Sequence, residues 1–578
     1  MSARLSIWQR SRIPLLSVLL GIGVTLIAVG LIALIRLCTN LAFHGHVSTA
    51  EAVPNFSTWG AWGILVPVIG GLIIGVMARW GSPAIRGHGI PEAMQAIGTA
   101  ASRIPARVAI LKPLSAAISI GTGGPFGAEG PIIATGGAVG SLVGQWLPSS
   151  PVQRKILLAA GAAAGMTAIF GTPLAAVLLA VELLLFEYRG RSFLPVALAA
   201  GTAMALRSCF HEPLPMFPLA FDRAPDLPLS SGAFLIGGIC GLLAVIVTKA
   251  VYALEDAFEK LPVHWMWWPA IGGLVVGVIG WIEPRTLGVG YDNLRELLEG
   301  SLAVKAILTL ATLKFLSWWV ALSSGTSGGT LAPLMTVGGA VGALCAHALH
   351  GIPLYADFPI GLGVLIGMAA TFAGASRAFL ASVVFAYEAS HAAGSLGPLL
   401  LGCGAAVLVS RVLMRETIMT EKLARRGVRV PSDYEPDFLE SIPVGKAMEA
   451  EPLKVGPEET VAEIALRLAT PGTPWHDVRL IPITGPDQAL LGLITRADLF
   501  AALESPQTTV LEAGIQHPVT IHAEDSLAEA ADRMIRHGIG RIPVVDRSPA
   551  PKLVGLVTRR AILEAKRYHL ELDRMPHP

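Results

Sequence analysis

Long apolar runs separated by short Gly- and Pro-rich breaks fill the first 420 positions of the chain, and the pattern changes character near Ser441. The run Ile13–Ile35 stands behind Arg4, Arg10 and Arg12. It is too long for a signal-peptide core and lacks a small-residue cleavage site, so it predicts a retained first span with its basic end in the cytoplasm. Trp62–Ala78 predicts a second helix. Further runs follow at Pro105–Ile120, Ile132–Trp146, Ile156–Phe170, Leu174–Phe186, Phe193–Leu206, Phe234–Ala253, Trp265–Ile282, Leu302–Leu322, Leu331–Ala348, Ile360–Phe372, Phe379–Tyr387 and Pro398–Val412. Several are too short to cross about 30 Å of hydrocarbon upright. Helices of unequal length are therefore expected, some entering only half-way, as in discontinuous membrane segments.

The apolar pattern repeats itself. Gly127-Ala128-Glu129-Gly130-Pro131 followed by Gly136–Gly140 is echoed by Gly329-Thr330-Leu331-Ala332-Pro333 followed by Gly338–Gly342, with the same spacing. A second echo sets Gly161, Leu174 and Glu182 against Gly367, Leu380 and Glu388. Two halves of one fold are implied, with an ion site expected between them near the midplane. A small-residue packing stripe also explains Gly136, Gly140 and Gly144, but not the shared G-x-x-x-P register.

Composition supports a polytopic membrane protein: of 578 residues 53% are hydrophobic and 15% charged, with 63 Gly and 41 Pro. The net charge of +2 gives no support for nucleic-acid binding. Charged residues thicken after Arg415, and from Ser441 short β-type runs alternate with amphipathic helices. This soluble part is also duplicated: Val478–Ile483 and Leu491–Asp498 match Gly540–Val545 and Leu553–Arg560. The segment Glu421–Glu440, with Pro431 and Pro436, reads as a linker. Five cysteines, Cys38, Cys209, Cys240, Cys345 and Cys403, never form C-x-x-C and indicate neither a disulfide framework nor a zinc site.

The chemistry concentrates at Gly121–Pro131, where Glu129 sits in broken backbone between two apolar segments. A carboxylate at bilayer depth costs roughly 2.5 to 3.5 kcal/mol, so Glu129 is expected to face a wet cavity or a bound ion. Pro131 suits the first turn of a helix whose free N–H groups and positive dipole end attract anions. The alternative is a packed helix turn with a protonated, satisfied glutamate. An intramembrane metalloprotease needs H-E-x-x-H; the candidate His211-Glu212-Pro213-Leu214-Pro215 lacks the second histidine. A magnesium transporter wants several carboxylates along its path, and the membrane part offers few.

With these motifs in order, the chain resembles the CLC family of chloride channels and proton/chloride exchangers, followed by a tandem pair of CBS modules. Gly87-His88-Gly89-Ile90-Pro91 is similar to the family's GSGIP, Gly127–Pro131 to GREGP and Gly329–Pro333 to GxFxP. The resemblance implies a polytopic α-helical membrane domain at 1–420, an inverted repeat of broken and tilted helices with halves at about 13–210 and 231–420. A linker at 421–441 and soluble α/β CBS domains at 442–505 and 508–570 follow. It further implies a homodimer in the cell membrane with cytoplasmic CBS domains, chloride or another small anion as the transported species, and no required cofactor. By the same resemblance Gly89, Gly130, Thr330 and Leu331 supply the backbone anion site, and Glu129 is the gate.

Four departures from the family pattern stand out. His88 replaces the GSGIP serine, and Met419 falls where a tyrosine usually donates a phenol. Ala128 replaces the arginine of GREGP. Exchangers of the family end a Glu-Glu pair with the inner proton acceptor; here the pair reads Glu182-Leu183, which implies a channel-like or weakly coupled path unless Glu182 or Glu187 serves a rerouted proton. In the CBS pair, Thr495-Arg496-Ala497-Asp498 fits the family's adenine-nucleotide turn, whereas Thr558 is followed by Ala561 in place of the aspartate. One ATP or AMP site is expected, the alternative being a purely structural CBS pair.

Overall fold

The computed structural model describes residues 7–210, 215–428, 439, 442–476, 478–505 and 507–572. The chain divides into two compact units, Met1–Tyr434 and Glu435–Pro578. The first unit is helical throughout, since apolar segments in lipid must satisfy their backbone groups internally. Its first half runs α1 (Ile7–Thr39), α2 (Leu65–Val76), α3 (Ile90–Thr99), α4 (Ala106–Gly121), α5 (Glu129–Trp146), α6 (Pro151–Phe170), α7 (Pro173–Ala180) and α8 (Gly190–Arg207). The second half runs α9 (Leu227–Glu259), α10 (Trp268–Ile282), α11 (Tyr291–Glu299), α12 (Val304–Ser323), α13 (Leu331–Leu349), α14 (Ile360–Ser376), α15 (Phe379–Ser390), α16 (Leu396–Leu413) and α17 (Glu421–Arg425). Among the described residues eight helices are long and apolar enough to span a membrane, and three shorter apolar ones accompany them. His211–Leu214, most of the candidate H-E motif, lie outside the described residues, as does most of the linker.

The halves repeat in packing as they do in sequence. α1 lies on α6 and α8, and α9 lies on α14 and α16. The α5–α6 and α13–α14 pairs approach through the echoed glycines: a Cβ on Gly140 would lie 2.0 Å from the Leu157 oxygen, and one on Gly342 would lie 2.1 Å from the Gly363 oxygen. These stripes are thus packing surfaces, set by backbone-to-backbone contact.

The second echo also has a structural use. Glu182, on the π-helical turn Val181–Leu185, accepts from the amides of Leu380 (3.0 Å) and Ala381 (3.1 Å) at the start of α15. Glu388, on α15, accepts from Leu174 (3.1 Å) and Ala175 (2.8 Å) at the start of α7. Each half thereby caps a helix N-terminus of the other, where free N–H groups and the dipole both favour a carboxylate.

The soluble unit holds two α/β modules. In one, β1 (Leu480–Thr484) pairs antiparallel with β2 (Leu490–Thr495), flanked by α18 (Val461–Ala469) and α19 (Arg496–Ala501), and followed by α20 (Val510–Ala513). In the other, β3 (Ile521–His522) runs parallel to β4 (Arg541–Val545), which pairs antiparallel with β5 (Leu553–Thr558), with α21 (Leu527–His537) and α22 (Arg559–Leu572) beside them. The modules trade segments. Val444 is buried in the core of the second with Ile521, Leu527 and Ile542, while Val510 is buried in the core of the first with Val461, Ile464 and Ile481. Their hairpin tips are joined by Leu490 N to Pro551 O and Leu553 N to Gln488 O, both 2.9 Å.

Gly140→Ala and Gly342→Ala are each expected to destabilise the protein by about 1–3 kcal/mol, the usual size of overpacking. The detergent-solubilised variants should melt below wild type. Gly201→Ala, with nothing within 4 Å of the added carbon, should not.

Candidate functional site

Three loops that precede helices meet inside the first unit. The loop ahead of α3 pairs with the loop ahead of α13, with Gly87 N donating to Thr326 O (3.0 Å) and Gly328 N to Gly87 O (3.5 Å). The loop ahead of α5 pairs antiparallel with the same segment: Gly329 N donates to Gly127 O (3.1 Å) and Gly127 N to Gly329 O (3.4 Å). Gly130 fits between them, since a Cβ there would lie 2.4 Å from His88 O and 2.9 Å from Gly329 Cα. Gly89, at φ +93°, caps α3 against the same spot, its amide donating to Glu92 Oε2 at 2.9 Å. The motif residues His88, Gly89, Glu129, Gly130, Thr330 and Leu331 are thus drawn into one knot, all buried.

Glu129 opens α5 and is fully buried. Its Oε1 accepts a short hydrogen bond from the hydroxyl of Tyr291, the first residue of α11. Its Oε2 has no partner in hydrogen-bonding geometry, although the amides of Glu129 and Ala332 face the carboxylate. A negative group therefore sits where the N-termini of α5 and α13 converge, the arrangement that binds anions. In a low-dielectric interior these oriented amides act far more strongly than in water.

His88 is buried with Nδ1 unpartnered, and its ring meets the backbone of Ile418. Met419 is fully buried, its neighbour Ile418 donating to Ala375 O at 3.0 Å. A phenol does reach this segment, but from α9: Tyr252 donates to Ile418 O at 2.8 Å. Beside His88 opens a cavity of about 510 Å³ lined among others by Arg86, Gly89, Glu92, Lys112, Lys422 and Arg426. Glu92 pairs with Lys422 at 3.2 Å. Leu183 and Glu182 lie on the π-helical turn that packs against α3, and Glu182 there caps α15.

Three groups at this site escaped the reading of the sequence. Tyr291 is one. The others are two fully buried lysines: Lys112 Nζ donates to Ile85 O (2.8 Å) and Gly87 O (2.6 Å), and Lys314 Nζ to Thr286 O (3.0 Å) and Gly288 O (2.8 Å). The signal was present: the lysines are as far apart in sequence as Gly127 and Gly329, each within an apolar run.

In the soluble unit, Thr495 and Asp498 form a reciprocal cap at the start of α19. Thr495 N and Oγ1 donate to Asp498 Oδ2 (2.9 and 2.7 Å), and Asp498 N donates to Thr495 Oγ1 (3.2 Å). The second copy keeps only half of this, with Ala561 N donating to Thr558 Oγ1 at 3.2 Å.

A family model described as voltage gated chloride channel matches residues 70–411, and the CBS domain model matches 444–505 and 512–568. The chain is 27% identical over 388 residues to the voltage-gated ClC-type chloride channel ClcB of Escherichia coli O81 (strain ED1a), covering 66% of this chain and 91% of that one. Its fold matches a slow cyanobacterial Cl−/H+ antiporter, with a TM-score of 0.64 and 21% identity over 72% of this chain and 98% of the other. It also matches a eukaryotic CLC transporter, with a TM-score of 0.61 and 18% identity over 96% and 99% of the two chains. The match at 70–411 takes in the loops that meet at Glu129, and the chain belongs to the voltage gated chloride channel (CLC) family and carries a CBS pair.

Proposed function

We propose that this multi-pass membrane protein conducts chloride or a related small anion past Glu129, which gates the path by occupying an anion site while it is ionised. The observation that carries the reading is the buried carboxylate itself, held among amides of α5 and α13 with one oxygen unpartnered. A carboxylate and a chloride compete for such a site because both are stabilised by the same donors. The relatives named as chloride channels support the choice of ion. The cavity beside His88, where Arg86, Arg103, Lys112, Lys422 and Arg426 outnumber Glu92, Glu255 and Glu259, supplies an approach of net positive charge. The path belongs to each subunit of a homodimer in the cell membrane, with the CBS pair on the cytoplasmic side.

Neutralising the gate tests the reading. Glu129→Gln in proteoliposomes should abolish the pH dependence of chloride efflux and leave the path more open; a wild-type pH profile in this variant would remove Glu129 from the role.

Transport is channel-like or only weakly coupled to protons. Leu183 offers no titratable stop, and both oxygens of the adjacent Glu182 are engaged by Leu380 and Ala381 amides. A bare proton does not cross apolar side chains. Under a tenfold proton gradient with symmetric chloride, the reversal potential in a planar bilayer should lie near zero. A large, pH-driven potential would instead indicate a proton/chloride antiporter with a rerouted proton path.

The CBS pair is proposed to bind one adenine nucleotide at Thr495 and Asp498, with phosphate near the hydroxyl and ribose hydroxyls on the carboxylate. Asp498→Ala removes that acceptor and the half of the capping box that reaches back to Thr495 N, leaving Thr495 Oγ1 to cap α19 as Thr558 does in the second copy. Calorimetry on the full-length protein should show one site per subunit in wild type and at least a tenfold weaker one in the variant; equal affinity would assign the module a structural role.

A further inference from the structure

We infer that Tyr291 is the positioning residue that holds Glu129 in the anion path and sets the pH at which the gate is released, a role that rests on the reading of Glu129 as the gate. The two residues come from different halves of the repeat and meet through a hydroxyl-to-carboxylate hydrogen bond. The phenol has little freedom to leave. Its ring is wedged edge-on against Phe170 of α6, with centroids 6.0 Å apart, and Phe217, at 5.8 Å. Behind it, Lys314 holds the carbonyls of Thr286 and Gly288, and Asn293 Nδ2 holds Arg285 O at 2.9 Å. The chain then turns at Gly290, φ +77°, and α11 begins with Tyr291.

The first half contains the same device. Lys112 holds Ile85 and Gly87, the chain turns at Gly89, and the loop delivers His88 to the knot. A buried ammonium on two loop carbonyls is therefore the support common to both sides of the site, and Tyr291 is what the second half delivers. On its side of the carboxylate Tyr291 is the titratable group in contact. His88 reaches the knot through its backbone oxygen at Gly130, and α13 brings the amide of Ala332.

A phenol O–H donates to an ionised carboxylate and strengthens the charged form over the neutral one. Removing the hydroxyl therefore makes Glu129 take up its proton, and vacate the anion site, at higher pH. Tyr291→Phe keeps the ring and its contacts with Phe170 and Phe217, so packing is retained.

The test is chloride efflux from proteoliposomes across the pH range for the full-length wild type, Tyr291→Phe, Glu129→Gln and the double variant. Tyr291→Phe should move the midpoint upward by about one pH unit, the scale expected of one hydrogen bond to a charged group. The double variant should be as flat as Glu129→Gln alone. The midpoint does not depend on how much active protein survives reconstitution. An unmoved midpoint in Tyr291→Phe beside a flat Glu129→Gln overturns the inference and leaves the gate standing. A wild-type profile in Glu129→Gln overturns the gate, and the inference with it.

Discussion

The backbone pairing of Gly127 with Gly329 is the constraint on which the rest of the membrane unit depends. Two loops, one from each half, must exchange hydrogen bonds at a depth where no water stands in for a missing partner. The exchange at 3.1 and 3.4 Å meets that demand, and it places the first turns of α5 and α13 side by side. A side chain at Gly130 would strike His88 O and Gly329 Cα, so glycine there is required by the close approach of three loops. The result is a cluster of helix N-termini with few side chains between them. Such a cluster favours negative charge, and Glu129 is the negative charge the chain itself provides.

Glu129 gains meaning from comparison with Glu182 and Glu388. All three are carboxylates at helix N-termini, and all three lie in echoed stretches of sequence. Glu182 and Glu388 use both oxygens on two amides each, which ties the halves together and leaves no free acceptor in those bonds. Glu129 uses one oxygen on a side-chain hydroxyl and keeps the other unpartnered. A buried carboxylate with one oxygen out of hydrogen-bonding geometry is expensive to hold. Position alone does not separate Glu129 from the two caps; the number of satisfied lone pairs does.

The apolar runs and their Gly/Pro breaks were legible as helices because lipid leaves the backbone few alternatives, and the echo of Gly127–Pro131 at Gly329–Pro333 revealed two halves before any fold was known. The shorter segments, such as Pro173–Leu185 and Phe379–Ser390, indeed form apolar helices too short to span. Tyr291 was not legible. It begins a short helix with an amphipathic pattern, and its partner is 162 residues away, so only the folded chain brings the two together. The same holds for the segment exchange that buries Val444 with Ile521 and Val510 with Val461, since a duplicated sequence says where each module is, not which strands and turns complete its core. Lys112 and Lys314 each lie within an apolar helix, and the two carbonyls that each ammonium serves are set by loops remote from it.

The inner side of the proposed path is built on a different physical basis from the outer. At Glu129 the anion-attracting groups are backbone amides, fixed in place by helices. Toward the cavity they are side chains: Lys112 anchors the loop that carries His88, and Glu92 joins that loop to Lys422 of α17. The residue at the usual phenol position, Met419, offers no donor, and the phenol of Tyr252 is spent on Ile418 O. The rigid set of amides at Glu129 thus gives way toward the cavity to side chains engaged with carbonyls and with one ion pair. Of those charges Lys422 is paired with Glu92, and Lys112 is buried on the carbonyls of Ile85 and Gly87. Leu183, on the turn beside α3, is apolar, and the adjacent Glu182 has both oxygens on the amides of Leu380 and Ala381. The groups that could hold a proton or an anion on this side are thus the ones already committed to holding helices and loops together.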